Sequence, residues 1–282
     1  MKKILLLVII NLIMTSCASQ TELPGYSFSN FKNTKIWDLA KAVENNDAEK
    51  VREILTAKKV NVDFKDPEFK ETLLSLAIVN QKQNAIIELL KAGANPNELL
   101  GDLKDETPFI NAINYNENCD LFYIKTLLKY GANPNLEIIN PEEGHYFENS
   151  FPLLVAIGKT GNNGDECLSV VKLLVENGAN INCCYQNSMT QMCEGVINQC
   201  LITKSMETLK YFVIEKKINI PEKVYITGGI NKSTQKIYSL SEILNTNDYK
   251  FEDFTINGEK FERSKIRQEK SEILAYLKDR KR

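Results

Sequence analysis

The one histidine among the 282 residues, His145, stands close to Glu142, Glu143 and Glu148. A histidine beside carboxylates is the composition of a general base or of part of a metal site, and hydrolysis is the chemistry it would serve. Both readings lack a second component. No nucleophile and no further ligand stands at a fixed spacing from His145, and one histidine excludes a multi-histidine metal centre. An exposed loop histidine with acidic neighbours accounts for the stretch. Gly161-Asn162-Asn163-Gly164 is glycine-rich, but no Gly-Lys-Ser/Thr follows and no strand precedes it. It reads as a turn and not as a phosphate loop. The chain is therefore expected to be non-catalytic and to need no cofactor or metal, with an acidic-residue hydrolase centred on residues 142–148 as the alternative.

Lys and Arg number 35 against 37 Asp and Glu, so there is no basic excess to displace counterions and nucleic acid is not an expected partner. Hydrophobic residues at 43% and charged residues at 26% are the proportions of an ordinary folded chain. The seven cysteines, Cys17, Cys119, Cys167, Cys183, Cys184, Cys193 and Cys200, contain no Cys-x₂-Cys knuckle, which argues against a zinc site.

At the N-terminus, Met1-Lys2-Lys3 precedes an apolar run over residues 4–14, broken only by Asn11, and then Thr15-Ser16-Cys17. Basic, apolar, then small is the order of a secretory signal, and the run is shorter than the roughly 20 residues a membrane-spanning helix takes. Met14-Thr15-Ser16-Cys17 resembles the lipobox of bacterial lipoproteins, departing from it at Met14, where leucine is commonest. The resemblance implies a signal peptide over residues 1–16 and a lipidated Cys17 as the new N-terminus. Ordinary cleavage after Ala18 stays open, as does an uncleaved anchor. Ala18 in place of aspartate implies, within that family, delivery to the outer membrane facing the periplasm. In a single-membrane cell the implied place is the outer face of the plasma membrane. Residues 17–35, with Ser, Thr, Asn, Pro24, Gly25 and scattered aromatics, are expected to be a flexible tether reaching at most about 60 Å.

The rest of the chain repeats itself. Gly93-Ala94-Asn95-Pro96-Asn97, Gly131-Ala132-Asn133-Pro134-Asn135 and Gly178-Ala179-Asn180-Ile181-Asn182 each follow an apolar helical run. Upstream of each run lies a second one, opened by Thr72-Leu73, Thr107-Pro108 or Phe151-Pro152. Glycine suits the left-handed residue after a helix, and proline suits the first helical position. The pattern resembles the ankyrin repeat, whose threonine-to-glycine spacing is 21; Thr72 to Gly93 keeps it, while Thr107 to Gly131 and Phe151 to Gly178 are longer. Weaker copies flank these, so that residues 36–220 are expected to form about five repeats. The fold class is an all-α solenoid of helix-turn-helix repeats with hairpin fingers. Residues 221–282 are expected to be a divergent final repeat and a helical cap, since an array needs a terminal element with one polar face.

The resemblance implies a protein partner, bound on the concave side formed by the fingers and inner helices. Aromatics dominate such surfaces, and Phe69, Tyr115, Tyr146, Phe147 and Tyr185 are the candidates. The expected function is membrane-tethered protein–protein interaction. An immunity or protective partner of a particular periplasmic enzyme or effector is the alternative. An exported chain permits disulfides. Cys119 and Cys167 fall in lengthened turns of adjacent repeats and are a candidate pair. Cys183 or Cys184 is a candidate partner for Cys193, and Cys200 is expected to be a buried thiol.

Overall fold

A computed structural model describes residues 24–57, 60–102, 106–116, 118–139, 149–160, 167–186, 193–222, 224–226, 236–246, 254–256, 259–261 and 263–280. Cys17, Glu142, Glu143, His145, Tyr146, Phe147, Glu148 and the glycine pair at 161 and 164 lie outside the described residues.

Helix pairs build the body: α1 (Trp37–Glu44) with α2 (Ala48–Ala57), α3 (Leu73–Val79) with α4 (Gln83–Lys91), α5 (Pro108–Asn114) with α6 (Leu121–Lys129), α7 (Pro152–Lys159) with α8 (Leu168–Glu176), and α9 (Val196–Thr203) with α10 (Met206–Lys210). The odd-numbered helices stack on one another as an inner row and the even-numbered ones as an outer row. Sequence sets where each inner helix starts. The Thr72 and Thr107 hydroxyls accept the amides of Ser75 and Ile110 at 3.3 and 3.1 Å, which satisfies an otherwise orphaned donor. Pro108 and Pro152 occupy first-turn positions, where no amide is needed.

Each outer helix of the three clear repeats stops in the same way. Gly93, Gly131 and Gly178 have φ of +91°, +90° and +88°. The next amide, of Ala94, Ala132 or Ala179, reaches back to Leu89, Leu127 or Leu174 at 2.9–3.0 Å, which closes a Schellman turn. No atom lies within 4 Å of where a Cβ would stand on these glycines, so backbone conformation and not space requires them. The asparagine that ends each of the first two motifs ties one repeat to the next. Asn97 donates to Gly131 O and accepts from Asn133 N at 2.9 and 2.8 Å, and Asn135 does the same to Gly178 O and Asn180 N at 2.8 and 2.6 Å. Asp63 makes the accepting half of this link, taking Asn95 N at 2.9 Å.

Between repeats the chain makes short antiparallel hairpins: β1 (Ile138–Ile139) with β2 (Asn149–Ser150), and β3 (Cys184–Gln186) with β4 (Cys193–Gly195). These are the two lengthened fingers. Gly195 is needed for closeness, since a Cβ there would lie 2.9 Å from Cys183 O.

Beyond residue 220 come two more hairpins, β5 (Val224–Ile226) with β6 (Lys236–Tyr238) and β7 (Phe254–Ile256) with β8 (Glu259–Phe261). A sixth helix pair follows the same logic. α11 (Leu240–Leu244) starts with a capping box between Ser239 and Glu242, and α12 (Ser264–Asp279) packs on both α10 and α11. Ile273 and Leu277 point into the stack, while most of the polar side chains of α12 face solvent. That asymmetry is what closes an array.

One expectation is corrected here. The tether was expected to run to residue 35, but the chain is folded from Pro24. Pro24–Tyr26 and Phe28–Phe31 form two 3₁₀ turns against the inner helices α3 and α1, and Phe28 and Phe31 are 2% and 0% exposed. Three aromatic side chains within six residues carry more apolar surface than a solvated tether retains, and packing them against the first repeats removes it from water.

Candidate protein-binding surface

Thr72, Thr107, Phe151 and Gly195 occupy equivalent positions, each preceding an inner helix. The residue four later can therefore be compared from repeat to repeat. Leu76 and Asn111 are fully buried, whereas their counterparts Val155 and Gln199 are only partly buried. Seven residues on from Gly195, Ile202 is 48% exposed, the most exposed large hydrophobic among the described residues. The concave row is thus covered over the second and third repeats and open over the fourth and fifth.

The cover is the N-terminal segment. Asn80 Nδ2 donates to Tyr26 O at 3.0 Å. The Tyr26 hydroxyl donates to Glu106 Oε2 at 2.9 Å, the Tyr115 hydroxyl donates to Tyr26 at 3.0 Å, and the two rings meet edge-on at 5.1 Å. Tyr26 thereby spans α3 and α5. Burial first, and then its place between Tyr115 and Glu106, push its phenol well above the ordinary range, so it stays protonated.

Of the sequence-derived candidates, Phe69 lies 3.7 Å from the Cβ position of Gly25, beneath this same segment. Tyr115 is half-buried by Tyr26. Tyr185 is corrected as a partner contact. It is 4% exposed and donates to Glu194 Oε2 at 2.8 Å across its own hairpin, so its ring builds the finger and does not offer itself outward. Tyr146 and Phe147, like His145, lie outside the described residues.

Under the segment sits Glu71, 5% exposed, whose carboxyl is pushed up to about 7 by burial, with Glu106 and Asp66 adding to the rise and Ser75 and Lys65 opposing it. The folded value lies above the ordinary 4.5, so the stabilising protonated form is fully present below about 4.5 and is lost as pH rises through about 7. The wild type is accordingly expected to melt at lower temperature at pH 8 than at pH 5.5. Glu71→Gln should flatten that slope in calorimetry; an unchanged slope would place its origin elsewhere. Glu88 behaves oppositely. Hydrogen bonds from Arg52 and then Lys91 hold it down to about 2, and the Arg52 pair, at 2.8 and 3.2 Å, clips α2 to α4.

Cys119 and Cys167 are joined, with Cα atoms 5.2 Å apart, across the turns that link α5 to α6 and α7 to α8. Cys184 is joined to Cys193 across the β3–β4 finger, Cα to Cα 5.4 Å. Cys183 and Cys200 are buried thiols outside the two disulfides, and burial pushes the Cys183 thiol up to about 12, which keeps it unreactive beside its disulfide-bonded neighbour.

The family model for ankyrin repeats in three copies matches residues 39–138, and the single ankyrin repeat matches residues 149–186. The chain carries ankyrin repeats. A glycerophosphocholine phosphodiesterase of Schizosaccharomyces pombe is 26% identical over 183 residues, 64% of this chain but 14% of that protein. The chain thus spans about a seventh of that relative's length. The ankyrin models end at residue 186, although α9 and α10 continue the same stacking and α12 packs on α10. The histidine usual at the start of the ankyrin inner helix is Ser75, Ile110 and Leu154 here. At Ser75 a buried bond replaces it, with Asn111 Nδ2 donating to Ser75 Oγ at 3.0 Å and so linking two ankyrin repeats. The asparagine ladder, the Ser75–Asn111 link and the docking of Tyr26 were absent from the sequence-derived set. Only the ladder had an open signal, in the asparagine repeated at the end of each Gly-Ala-Asn motif.

Proposed function

We propose that this protein is a non-catalytic ankyrin module that binds a protein partner on the open half of its concave face and is held to a cell-envelope membrane through lipid on Cys17. The observation that carries the binding surface is the contrast in register: Leu76 and Asn111 are sealed, while Val155 and Gln199 are partly exposed and Ile202 faces solvent. A half-exposed aliphatic among polar and small neighbours, with Gly158 leaving room beside Gln199, is a surface that gains from being covered. Ankyrin repeats support a protein partner. The likeness to a phosphodiesterase concerns too small a part of that enzyme to carry its activity here.

The lipid anchor rests on the Lys2-Lys3, apolar and Cys17 series alone. Taken with the docked segment, it has a geometric consequence. Seven residue-to-residue steps lead from Cys17 to Pro24, a span of at most about 25 Å and not the roughly 60 Å of a longer tether.

Two substitutions test this reading separately. Cys17→Ala should abolish incorporation of labelled fatty acid and release the protein from membranes. Gln199→Ala with Ile202→Ala should reduce capture of the cross-linked partner by at least about tenfold, the loss expected when a small apolar contact centre is removed, with the melting curve unchanged. Undiminished capture would exclude the open concave half, and absence of label in the wild type would exclude the anchor.

A further inference from the structure

Two oxygens beneath the N-terminal segment have no hydrogen-bond partner, Glu71 Oε2 and Asn111 Oδ1. Their side chains are 5% and 0% exposed. They belong to one network, because Asn111 Nδ2 donates to Ser75 Oγ at 3.0 Å and the Ser75 hydroxyl bonds Glu71. Asn111 Oδ1 can only accept, and Glu71 Oε2 accepts whenever the carboxyl is ionised. Glu106 Oε2, which takes the Tyr26 hydroxyl, is a third acceptor. The charged and titratable groups around Glu71 are Glu106, Asp66 and Lys65, with the Tyr26 phenol nearby. Lys65, the one cation among them, is engaged by Leu99 O at 2.6 Å and Glu98 at 2.8 Å. Tyr26 brings a single proton, already given to Glu106, and its oxygen is taken by Tyr115. With Glu71 ionised, the site therefore has acceptors and negative charge in excess of donors.

We propose that this groove, between the finger ending at Glu71 and the inner helices α3 and α5, is a docking site for an arginine side chain of the protein partner, and that Tyr26 is its displaceable occupant. This rests on the protein-binding reading above. A guanidinium brings five N–H donors in a planar fork and no acceptor, so one side chain can serve two carboxylates and an amide oxygen. It also supplies the charge that lets a buried carboxylate ionise. A phenol does neither. The site is closed in the isolated chain, and a partner competes with the Tyr26 side chain for it.

Tyr26→Arg in the full-length protein places such a side chain in the groove without any partner. The Glu71 carboxyl, followed by carbon-13 NMR, should then titrate below about 5 instead of about 7. Amide exchange of Phe28 and Phe31 should slow at least about tenfold relative to wild type, and Glu71→Gln on top of Tyr26→Arg should cancel that gain. Tyr26→Met, similar in reach and uncharged, should leave the Glu71 titration unmoved and speed exchange. Tyr26→Lys guards against an arginine that is merely too large, and should shift Glu71 in the same direction by less. The proposal is overturned if Glu71 stays near 7 in both cationic variants, which would mean that buried water satisfies the two oxygens. It is equally overturned if exchange at Phe28 and Phe31 becomes as fast in both as in Tyr26→Met. Either result leaves the wider binding reading intact, since that is decided at Gln199 and Ile202.

Discussion

Phe31→Ala is expected to destabilise the protein by about 3–5 kcal/mol, the usual loss for truncating a buried phenylalanine. Its ring is fully buried, in the same apolar cluster as Phe28, Ile36 and Leu39, and lies 6.4 Å from the ring of Phe64. Truncation would leave a cavity where the 3₁₀ turn meets α1, and the first repeat, with a neighbour on one side only, has little else to replace it. A solvated tether at residues 24–31 would make the same substitution silent. Urea denaturation of Phe31→Ala against wild type separates the two cases, and a midpoint unchanged within error would return the segment to the solvent.

Replacing Cys119 and Cys167 by alanine comes next in size. The bond closes a loop with a sequence separation of 48. Chain entropy alone assigns such a closure about 4 kcal/mol, against about 2.5 kcal/mol for the Cys184–Cys193 link across a separation of 9. The larger effect follows from where the bond sits. It joins the helix-to-helix turns of two adjacent repeats, so without it the third and fourth repeats are held by side-chain packing and the asparagine links. The double variant should show a lower urea midpoint than wild type under oxidising conditions, and the same midpoint as wild type under strong reductant. A difference that persists under reductant would assign the effect to packing of the two side chains.

How much of this was legible in the sequence depends on whether the determinant is local. Helix starts at Thr72, Thr107 and Pro152 and stops at Gly93, Gly131 and Gly178 follow from backbone preferences of single residues, and they stand where the pattern puts them. The repeat period then follows from their spacing. The binding candidates fared otherwise, because exposure is a property of what comes to lie on top. Tyr115 sits at the inner-helix end as expected, yet its face is taken by Tyr26, 89 residues earlier in the chain. Tyr185 is in the finger as expected, but a three-residue pairing with Cys193, Glu194 and Gly195 turns its hydroxyl onto Glu194. In the sequence Ile202 reads as core, because it is an isoleucine in an apolar helix. Only the helix orientation reveals that Cys200 points inward and Ile202 out. The aromatic density at Tyr26, Phe28 and Phe31 was visible beside Pro24 and Gly25, and their small polar neighbours concealed its meaning.

The claim that recognition takes place on the open concave half can be tested with a photo-reactive amino acid at position 202, with a second at Lys125 on the exposed side of α6 as its counterpart. Irradiated in native membranes, the protein labelled at 202 should form one discrete protein adduct, and the protein labelled at 125 should form none. An adduct from 125 with none from 202 would put the partner on the convex face and contradict the account.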